Sequence, residues 1–339
     1  MQIYTIKDIA RKAGVSVTTV SRVVNNRPDV NKDTREAVMK VIEECHFVCN
    51  ANARSLKQTD GELAAIVVRG RSNPFLNDIA EKILQLTQKT EVSFLLEYID
   101  EQDDEFQPAL RLHTEKRVTA FVMVGSRIDE RARVIAQLDI PFVFVTVIGD
   151  RDTLPMASSV SIDDRAMGRL AVDYLLDRGH RKIAVFGARR DAGDSLARRY
   201  EGTMDAFRHR GLAFDPQRYV ECRFSPRGGY EAALAFFQRM PDTTAVFAMS
   251  DPMAIGIIRA LKDLGKRVPQ DVSVFGFDGV EMGAYTIPSL TTIRQPVGEL
   301  AQTSVDVLLD ILAGGKSGQR RLLEAQLQER ESVAPLGTA

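Results

Sequence analysis

From Leu63 onward, short apolar segments alternate with amphipathic segments of helical length, and this alternation constrains the fold more than any other feature. Such an order is typical of parallel sheets with helices on both faces. The candidate strands fall into two series, which predict two Rossmann-like lobes whose ligands bind beyond the carboxyl ends of the strands. The candidate strands are 63–68, 92–98, 119–124 and 142–147, then 182–187, 244–249 and 272–277, with helices expected at 77–89, 164–178, 198–210 and 252–264.

The segment 6–25 has the pattern of two short helices separated by a glycine turn. Thr5, with Asp8 three residues later, resembles a capping box, Gly14 interrupts the first helix, and Ser16 can cap the second. Two such helices predict a helix-turn-helix, whose second helix can lie in the major groove of DNA. The buried faces are expected to be Ile6, Ile9, Ala10 and Ala13 on the first helix and Val20, Val23 and Val24 on the second.

The early residues of the second helix are small, polar or basic, which suits contacts with base edges and phosphates. Helix pairs with an intervening glycine also occur in other small helical domains, so the periodicity alone leaves a purely structural interpretation open. A third helix, at about 32–46, would close the helical core. The candidate contacts are Val17, Thr18, Thr19, Ser21 and Arg22, and the apolar face of the third helix is Val38, Val41, Ile42 and Cys45.

The three residues Cys45, His46 and Cys49 lie close together, as metal ligands often do. A structural zinc site needs four ligands, and no second pair lies nearby in the sequence. Because Cys45 continues an apolar helix face, core packing is the favoured interpretation. Neither a metal nor another cofactor is expected.

The distribution of charge separates a head from a body. The chain has 339 residues, which is too long for one ordinary core, so two or three domains are expected. Residues 1–60 hold ten Lys and Arg against seven Asp and Glu, while the remainder holds 35 against 39. A mildly basic head on a mildly acidic body is consistent with a small DNA-binding module joined to a larger domain.

The cysteine count and hydropathy favour a cytoplasmic protein. Three cysteines cannot all pair with one another, and no signal peptide is recognisable. No apolar run approaches the roughly 20 residues needed to cross a bilayer. We therefore expect a cytoplasmic chain with no membrane partner.

Polar and aromatic residues follow several of the candidate strands. Each has a structural alternative, because Ser and Asp commonly cap the helix that follows a strand, and we favour that interpretation for Asp251. Their convergence on one cleft would provide paired donors and acceptors for hydroxyl groups and aromatic faces for rings. The residues are Arg71, Asn73, Phe75, Gly125, Ser126, Ser195, Arg199, Phe224, Ser250 and Asp278.

The string IKDIARKAGVSVTTVSRVVNNRPDVNKDTREAV, residues 6–38, closely resembles the N-terminal domain of the LacI/GalR family of bacterial transcription regulators. The resemblance extends over essentially the whole chain, through RGHRKIAVFG, RRYEGTMDAF, GKRVPQDVSVFGFDG and PSLTTIRQP. It implies an N-terminal all-α helix-turn-helix domain and an α/β periplasmic-binding-protein-like core of two Rossmann-like lobes. The implied function is a homodimeric repressor of sugar or related catabolic genes, whose small-molecule effector binds between the lobes.

The resemblance also implies the residues that contact a pseudo-palindromic operator. Residues 50–57 match a hinge helix that orders on DNA and inserts its leucine, here Leu56, into the minor groove. A plain flexible linker is the alternative, and Cys49 stands where the family usually has proline. The implied DNA contacts are Thr5, Ser16, Val17, Thr18, Thr19, Ser21, Arg22, Asn25, Asn26, Thr34, Asn50, Ala53 and Leu56.

In the core, the resemblance implies that Arg199 and Asp278 clamp hydroxyls of a sugar or nucleoside-like effector. The sequence departs from the family at Thr146-Val147 and in the loop 189–194, so the identity of the ligand stays open. The choice between inducer and corepressor also stays open. The other implied contacts are Asn73, Phe75, Ser126, Phe224 and Ser250.

The expected domain organisation is a head at 1–48, a hinge and linker at 49–60, and two lobes. The chain would cross between the lobes near Ser161, Leu290 and Ala325. The first lobe would comprise 61–161 and 291–325, and the second 162–290 and 326–339. The tail 331–339 has no leucine heptads, so a dimer is expected rather than a tetramer.

Two other classes of function are weaker alternatives. A sugar-binding protein of the transport class would share the core but would not need the helical head. An enzyme on a Rossmann-like scaffold would be expected to carry GxGxxG, a P-loop lysine motif or GxSxG, and the sequence has none of these in the required places. The four histidines have no matching nucleophile and are not spaced as metal ligands. They are His46, His113, His180 and His209.

Overall fold

The computed structural model describes residues 6–24, 30–45, 62–128, 138, 140–148, 154, 156–187 and 195–337. These residues belong to two compact units, Met1–Gly61 and Glu62–Ala339. Some expectations therefore lie outside the described residues. They are the roles of Thr5, Asn25, Asn26, Asn50, Ala53 and Leu56, the hinge helix as a whole, and the loop 189–194.

The described residues of the first unit form three helices: α1 (Ile6–Lys12), α2 (Val17–Val24) and α3 (Lys32–Glu44). Gly14 turns the chain between α1 and α2 with φ of +66°, a conformation that glycine adopts without steric cost. Ser16 caps α2, because its hydroxyl accepts a hydrogen bond from the backbone N–H of Thr19 at 3.1 Å. The buried core of this unit is formed by Ile9, Ala10, Val20, Val23, Val38 and Cys45. The interpretation of Cys45 as a core residue is thus confirmed.

The first lobe of the second unit is built on one parallel sheet of six strands in the order β11-β5-β4-β3-β1-β2. Its apolar strands are buried between helices, as the continuous runs of Val, Ile and Phe predict. The elements are β1 (Leu63–Arg69), α4 (Pro74–Thr87), β2 (Ser93–Ile99), α5 (Phe106–Lys116), β3 (Ala120–Val124), β4 (Phe142–Val145), β5 (Ser158–Ile162), α10 (Val297–Leu312) and β11 (Arg320–Leu323).

The second lobe is built on another six-stranded sheet, in the order β12-β10-β9-β8-β6-β7, with only the edge strand β12 antiparallel. Its core is rich in phenylalanine, with Phe186, Phe247, Phe275 and Phe277 fully buried. The elements are α6 (Asp164–Asp177), β6 (Ile183–Gly187), α7 (Ser195–His209), β7 (Tyr219–Glu221), α8 (Pro226–Arg239), β8 (Ala245–Ala248), α9 (Asp251–Asp263), β9 (Ser273–Asp278), β10 (Thr291–Arg294) and β12 (Gln326–Gln328).

The chain passes between the two sheets three times: after Ile162, after Arg294, and between Leu323 and Gln326. The second crossing was expected at Leu290, which is four residues too early. Thr291–Arg294 pairs with β9 and therefore belongs to the second lobe. Helix α10 follows this crossing, and it packs on the first lobe through Leu300, Val305 and Leu308.

None of the described helices is long and apolar enough to span a membrane.

Candidate functional site

A cleft lies between the two lobes at the carboxyl ends of their strands, where ligands of such folds bind. Its cavity volume is about 60 Å³, and the empty space is about 500 Å³ when open solvent at its mouth is counted. Residues that follow β1, β2, β3 and β4 form the first-lobe wall, and residues of α7, β9 and the segments preceding α8 and α9 form the other. The lining residues are Arg69, Gly70, Asn73, Phe75, Leu76, Glu101, Gly125, Thr146, Ser195, Leu196, Arg199, Phe224, Ser250 and Asp278.

Arg199 is the buried cation of the second-lobe wall. It lies on α7 with only 5% of its surface exposed, and its Nε donates to Asp164 Oδ1 at 2.8 Å. Its Nη1 donates to the carbonyl of Met249 at 2.7 Å and lies 3.8 Å from Asp278 Oδ1. The guanidinium also lies over the ring of Phe277, 3.7 Å from the centroid. These contacts engage Nε and Nη1 and fix the orientation of the group toward the cleft.

Asp278 is the buried carboxylate of the same wall, at the end of β9. Gln295 donates from Nε2 to its Oδ1 at 2.9 Å, while Oδ2 is buried without a hydrogen-bond partner in the described part of the chain. Burial raises the pKa of Asp278 well above the usual range of a carboxyl, Arg199 lowers it, and the charges of Asp251 and Asp164 raise it further. An unpaired carboxylate oxygen here is costly, so a ligand that donates a hydrogen bond would stabilise it.

The backbone at Asp278 is also unusual, because its φ is +118°, a region that L-residues rarely adopt. Asp251 stabilises the turn that follows: its Oδ2 accepts from the N–H groups of Gly279 and Val280 at 2.8 Å each. Asp251 was expected to cap α9, but Ser250 is the N-cap residue. Both interpretations of Asp251 are structural, and the carboxylate is fully buried away from the cleft lining.

The first-lobe wall is mostly neutral. Phe75 is 3% exposed and belongs to the first-lobe core, so much of its ring packs internally. Asn73 caps α4, accepting from the N–H of Phe75 at 3.1 Å. Thr146 has φ of +72°, an unfavourable conformation for a β-branched residue. This wall therefore supplies shape and a few amide or hydroxyl groups.

Six of the seven effector-binding residues proposed from the sequence are brought together on this cleft. Ser126 is the exception, because it is buried beside the lining residue Gly125 and is not itself a lining residue. Ser250 and Asn73 line the cleft but use side-chain oxygens as helix caps. The lining residues that the sequence did not single out as ligand contacts include Arg69, Leu76, Glu101 and Leu196.

In the described part of the head, the proposed contact residues lie on α2 and its cap, except for Thr34 on α3. Val17 is 41% exposed, and Thr18 and Arg22 are exposed as well. Thr19 and Ser21 are half-buried, and the hydroxyls of Thr19 and Ser16 lie 2.9 Å apart. Thr34, on α3, is half-buried. An exposed apolar side chain between polar and basic neighbours is consistent with a surface that contacts DNA.

A helix-turn-helix unit joined to a two-lobed ligand cleft defines a class of DNA-binding regulators that respond to small molecules. Two family models match the chain: bacterial regulatory proteins of the lacI family over residues 5–50, and the periplasmic binding protein-like domain over residues 172–333.

Individual proteins match over nearly the whole length. The HTH-type transcriptional regulator MalR of Clostridium butyricum is 32% identical over 330 residues, which cover 96% of this chain and 98% of MalR. The lac repressor dimer bound to operator and the anti-inducer ONPF has a TM-score of 0.75 and 26% identity, covering 98% of this chain and all of that chain. A complex of the regulator CelR with cellobiose has a TM-score of 0.71 and 27% identity, covering 97% and 99%.

The chain therefore belongs to the LacI family of bacterial regulatory proteins. It is a DNA-binding transcriptional regulator whose two-lobed core provides the site for an effector.

Proposed function

We propose that this protein is a dimeric repressor of sugar or related catabolic genes, and that an effector in the interlobe cleft controls its affinity for a pseudo-palindromic operator. One observation carries the proposal beyond family membership. The cleft contains a buried arginine and a buried carboxylate, and Asp278 Oδ2 has no hydrogen-bond partner among the described residues. A group in that state is suited to a ligand that donates hydrogen bonds.

The wall chemistry favours a neutral, polyhydroxylated effector. Asp278 can accept from a hydroxyl, and Arg199 Nη2, which no described hydrogen bond engages, can donate to one. Phe224 offers a ring face on the same cleft, against which the apolar face of a sugar or a base can pack. The cellobiose bound by CelR supports a sugar, and a nucleoside-like ligand is the second candidate. Ser126 remains a proposed polar contact in a ligand-bound state.

On the DNA side, α2 would lie in the major groove with Val17, Thr18 and Arg22 toward the bases. Residues 50–57 would order on the operator, with Leu56 in the minor groove. The operator-bound lac repressor dimer supports a two-fold arrangement of this kind. The proposed place of action is the nucleoid in the cytoplasm.

Homodimerisation is supported by an exposed apolar patch on the second lobe, in the segment between β9 and β10. Met282, Tyr285 and Ile287 are 62%, 73% and 94% exposed. Exposed apolar side chains clustered in one segment favour a protein interface. A second copy of this chain is the proposed occupant.

The proposed control mechanism is a shift between two arrangements of the lobes. The effector binds one arrangement better, and that arrangement changes the spacing of the two DNA-binding heads. We propose that the effector is an inducer, which weakens operator binding. No cofactor is required, and the residues of the cleft are proposed to bind without catalysis; a turnover assay on candidate sugars tests this.

The DNA assignment is tested by gel-shift titration of the full chain at fixed salt. Arg22→Ala should weaken binding to the specific operator by about tenfold or more, because a bidentate base contact is worth roughly 1–3 kcal/mol. Arg11→Ala is the matched control, since Arg11 lies on α1 and pairs with Asp8 at 3.3 Å. It should reduce specific and non-specific binding to similar, small extents. Unchanged operator affinity of the Arg22 variant would refute the assignment.

A further inference from the structure

A cluster of charged groups links the two lobes at the edge of the cleft. Asp100 and Glu101 follow β2 on the first lobe, and Arg223 precedes α8 on the second. Arg223 donates from Nε to Glu101 Oε1 at 2.8 Å and from Nη2 to Asp100 Oδ1 at 2.6 Å. These bonds join residues more than 120 positions apart in the sequence and bridge the two lobes directly.

Glu101 makes a second contact across the cleft. Its Oε2 accepts from the backbone N–H of Phe224 at 3.2 Å, so both carboxylate oxygens bind the opposite lobe. Both Glu101 and Phe224 line the cleft. A carboxylate on the first lobe therefore binds the backbone of an aromatic wall residue that packs against the second-lobe core.

The backbone of Glu101 is itself held from within the first lobe. Arg69 donates from Nη2 to the Glu101 carbonyl and from Nη1 to the Gly125 carbonyl, the latter at 3.3 Å. The Arg69 guanidinium also pairs with the buried Glu105, Nε to Oε2 at 3.5 Å. These contacts fix Glu101 on the first lobe before it meets the second, which reduces the entropy lost when the interlobe bonds form.

We propose that Glu101 is a positioning residue of the effector cleft, which fixes Phe224 and, together with Asp100, holds Arg223 so that the two lobes stay closed over the ligand. This role rests on the proposed function for its biological meaning. Separation of the lobes would break three charge-assisted hydrogen bonds at once. Enclosure of the effector and lobe closure are then a single event.

Cys222 provides a readout that needs neither effector nor DNA. It is half-buried directly before Arg223, and burial, with a further contribution from the charge of Glu101, raises the pKa of its thiol to about 12. Opening of the cluster would move this thiol away from the Glu101 carboxylate, whose negative charge helps to raise its pKa. Its alkylation rate would then rise, because the thiolate is the reactive form.

The experiment follows alkylation of Cys222 by iodoacetamide in the full chain, with the modified peptide resolved by mass spectrometry. Glu101→Gln and Arg223→Gln should each raise the rate by about tenfold. The alkylation rate of the double variant should also rise about tenfold rather than about a hundredfold, because each substitution breaks the same interlobe contact. Arg208→Gln is the control, since Arg208 pairs with Asp205 within the second lobe at 2.8 Å and should leave the rate unchanged.

Salt and hydrogen exchange add two independent measurements. Rising salt should accelerate alkylation of the parent chain and have little effect on the double variant, because only the parent has the charge cluster to screen. Exchange at the Phe224 amide should accelerate in Glu101→Gln. Unchanged Cys222 alkylation in both single variants, or independent effects that multiply in the double variant, would overturn the proposal. Unchanged operator affinity of Arg22→Ala in the gel-shift titration would instead refute the repressor assignment. It would have no bearing on the expected alkylation rates.

Discussion

The two walls of the cleft are built from different chemistry. The second-lobe wall carries a buried network in which Arg199 contacts Asp164 and Asp278, all with side chains at most 6% exposed. The first-lobe wall presents the neutral residues Asn73, Phe75 and Thr146, and its two charged residues, Arg69 and Glu101, bind groups of the protein itself. A buried charge network fixes orientation at a cost in stability, whereas neutral side chains mainly set shape. We propose that the Arg199–Asp278 network holds hydroxyl groups common to many ligands, while the neutral residues of the first lobe select among ligands by shape.

The largest expected effect follows from removing the buried cation of the second-lobe wall. Arg199→Met should destabilise the core by about 3–5 kcal/mol, because Asp164 and Asp278 would remain buried without their partner. Effector binding should be lost at the same time. Chemical denaturation measures the first effect and calorimetry the second. An unchanged denaturation midpoint would show that the network is not held by Arg199.

Asp278→Asn should separate effector binding from stability on the same wall. Arg199 keeps its bond to Asp164, and the asparagine oxygen can still accept from Gln295, while the burial of a charge is removed. We expect the effector response to be abolished, while the free energy of unfolding changes by less than about 1 kcal/mol or increases. Operator binding without effector should persist. A variant that keeps the parent effector affinity would remove Asp278 from the site.

Both lobes carry buried carboxyls that should make the core less stable as pH rises. Burial raises the pKa of Glu105 from 4.5 to about 7, although Arg69 lowers it, and burial raises that of Asp251 from 3.8 to about 6. The folded core thus binds more protons than the unfolded chain. The stability that this adds is fully present below the unfolded pKa values and is lost as the pH rises through 6 and 7. The lowered pKa of His180, caused mainly by burial, acts in the opposite direction.

Between pH 5 and pH 8 we expect the free energy of unfolding to fall by on the order of 2–4 kcal/mol. Denaturation curves at constant ionic strength measure the change. Glu105→Gln should remove the first-lobe contribution to this pH dependence and leave the contribution of the second lobe unchanged. A free energy of unfolding that increases over this interval would contradict the burial argument.

A smaller effect is expected at Thr146 on the first-lobe wall. Thr146 lies in the left-handed region, so Thr146→Gly should raise the free energy of unfolding of the ligand-free core by about 1 kcal/mol. Thr119 is the control, because its φ is not positive, and Thr119→Gly should lower the free energy of unfolding. Thermal denaturation of the two variants distinguishes them, and a loss of stability in both would show that the Thr146 backbone is not strained.

Much of the fold could be predicted from the sequence because the buried strands are continuous apolar runs between amphipathic helices. Strand β5 was missed, since three of its five residues, Ser158, Ser159 and Ser161, are polar although buried. The hydroxyl of Ser158 accepts a hydrogen bond from the backbone N–H of Gln319 at 3.1 Å, a contact across 161 residues. The lobe assignment of Thr291–Arg294 was wrong for a similar reason: strand pairing, which the local pattern does not contain, decides it.

The site was predicted where a strand end and a family motif coincide, as at Arg199 and Asp278. Glu101 carried no such signal, because it lies in the acidic segment IDEQDDE, a composition typical of a solvated loop. Its importance depends on Arg223, 122 residues later. Asp164 and Gln295 were likewise recognisable only once the lobes placed them beside Arg199 and Asp278.

The central claim, that occupancy of the cleft is coupled to DNA binding, is tested most directly by calorimetric titration of the full chain with and without operator DNA. Cellobiose, monosaccharides and nucleosides form the panel, and a co-purified small molecule identified by mass spectrometry would join it. We expect the true effector to bind about fivefold or more weakly when the operator is present, because linkage is reciprocal. Tighter binding with operator would make the ligand a corepressor and reverse the proposed sign, and equal affinities in both conditions would contradict the coupling itself.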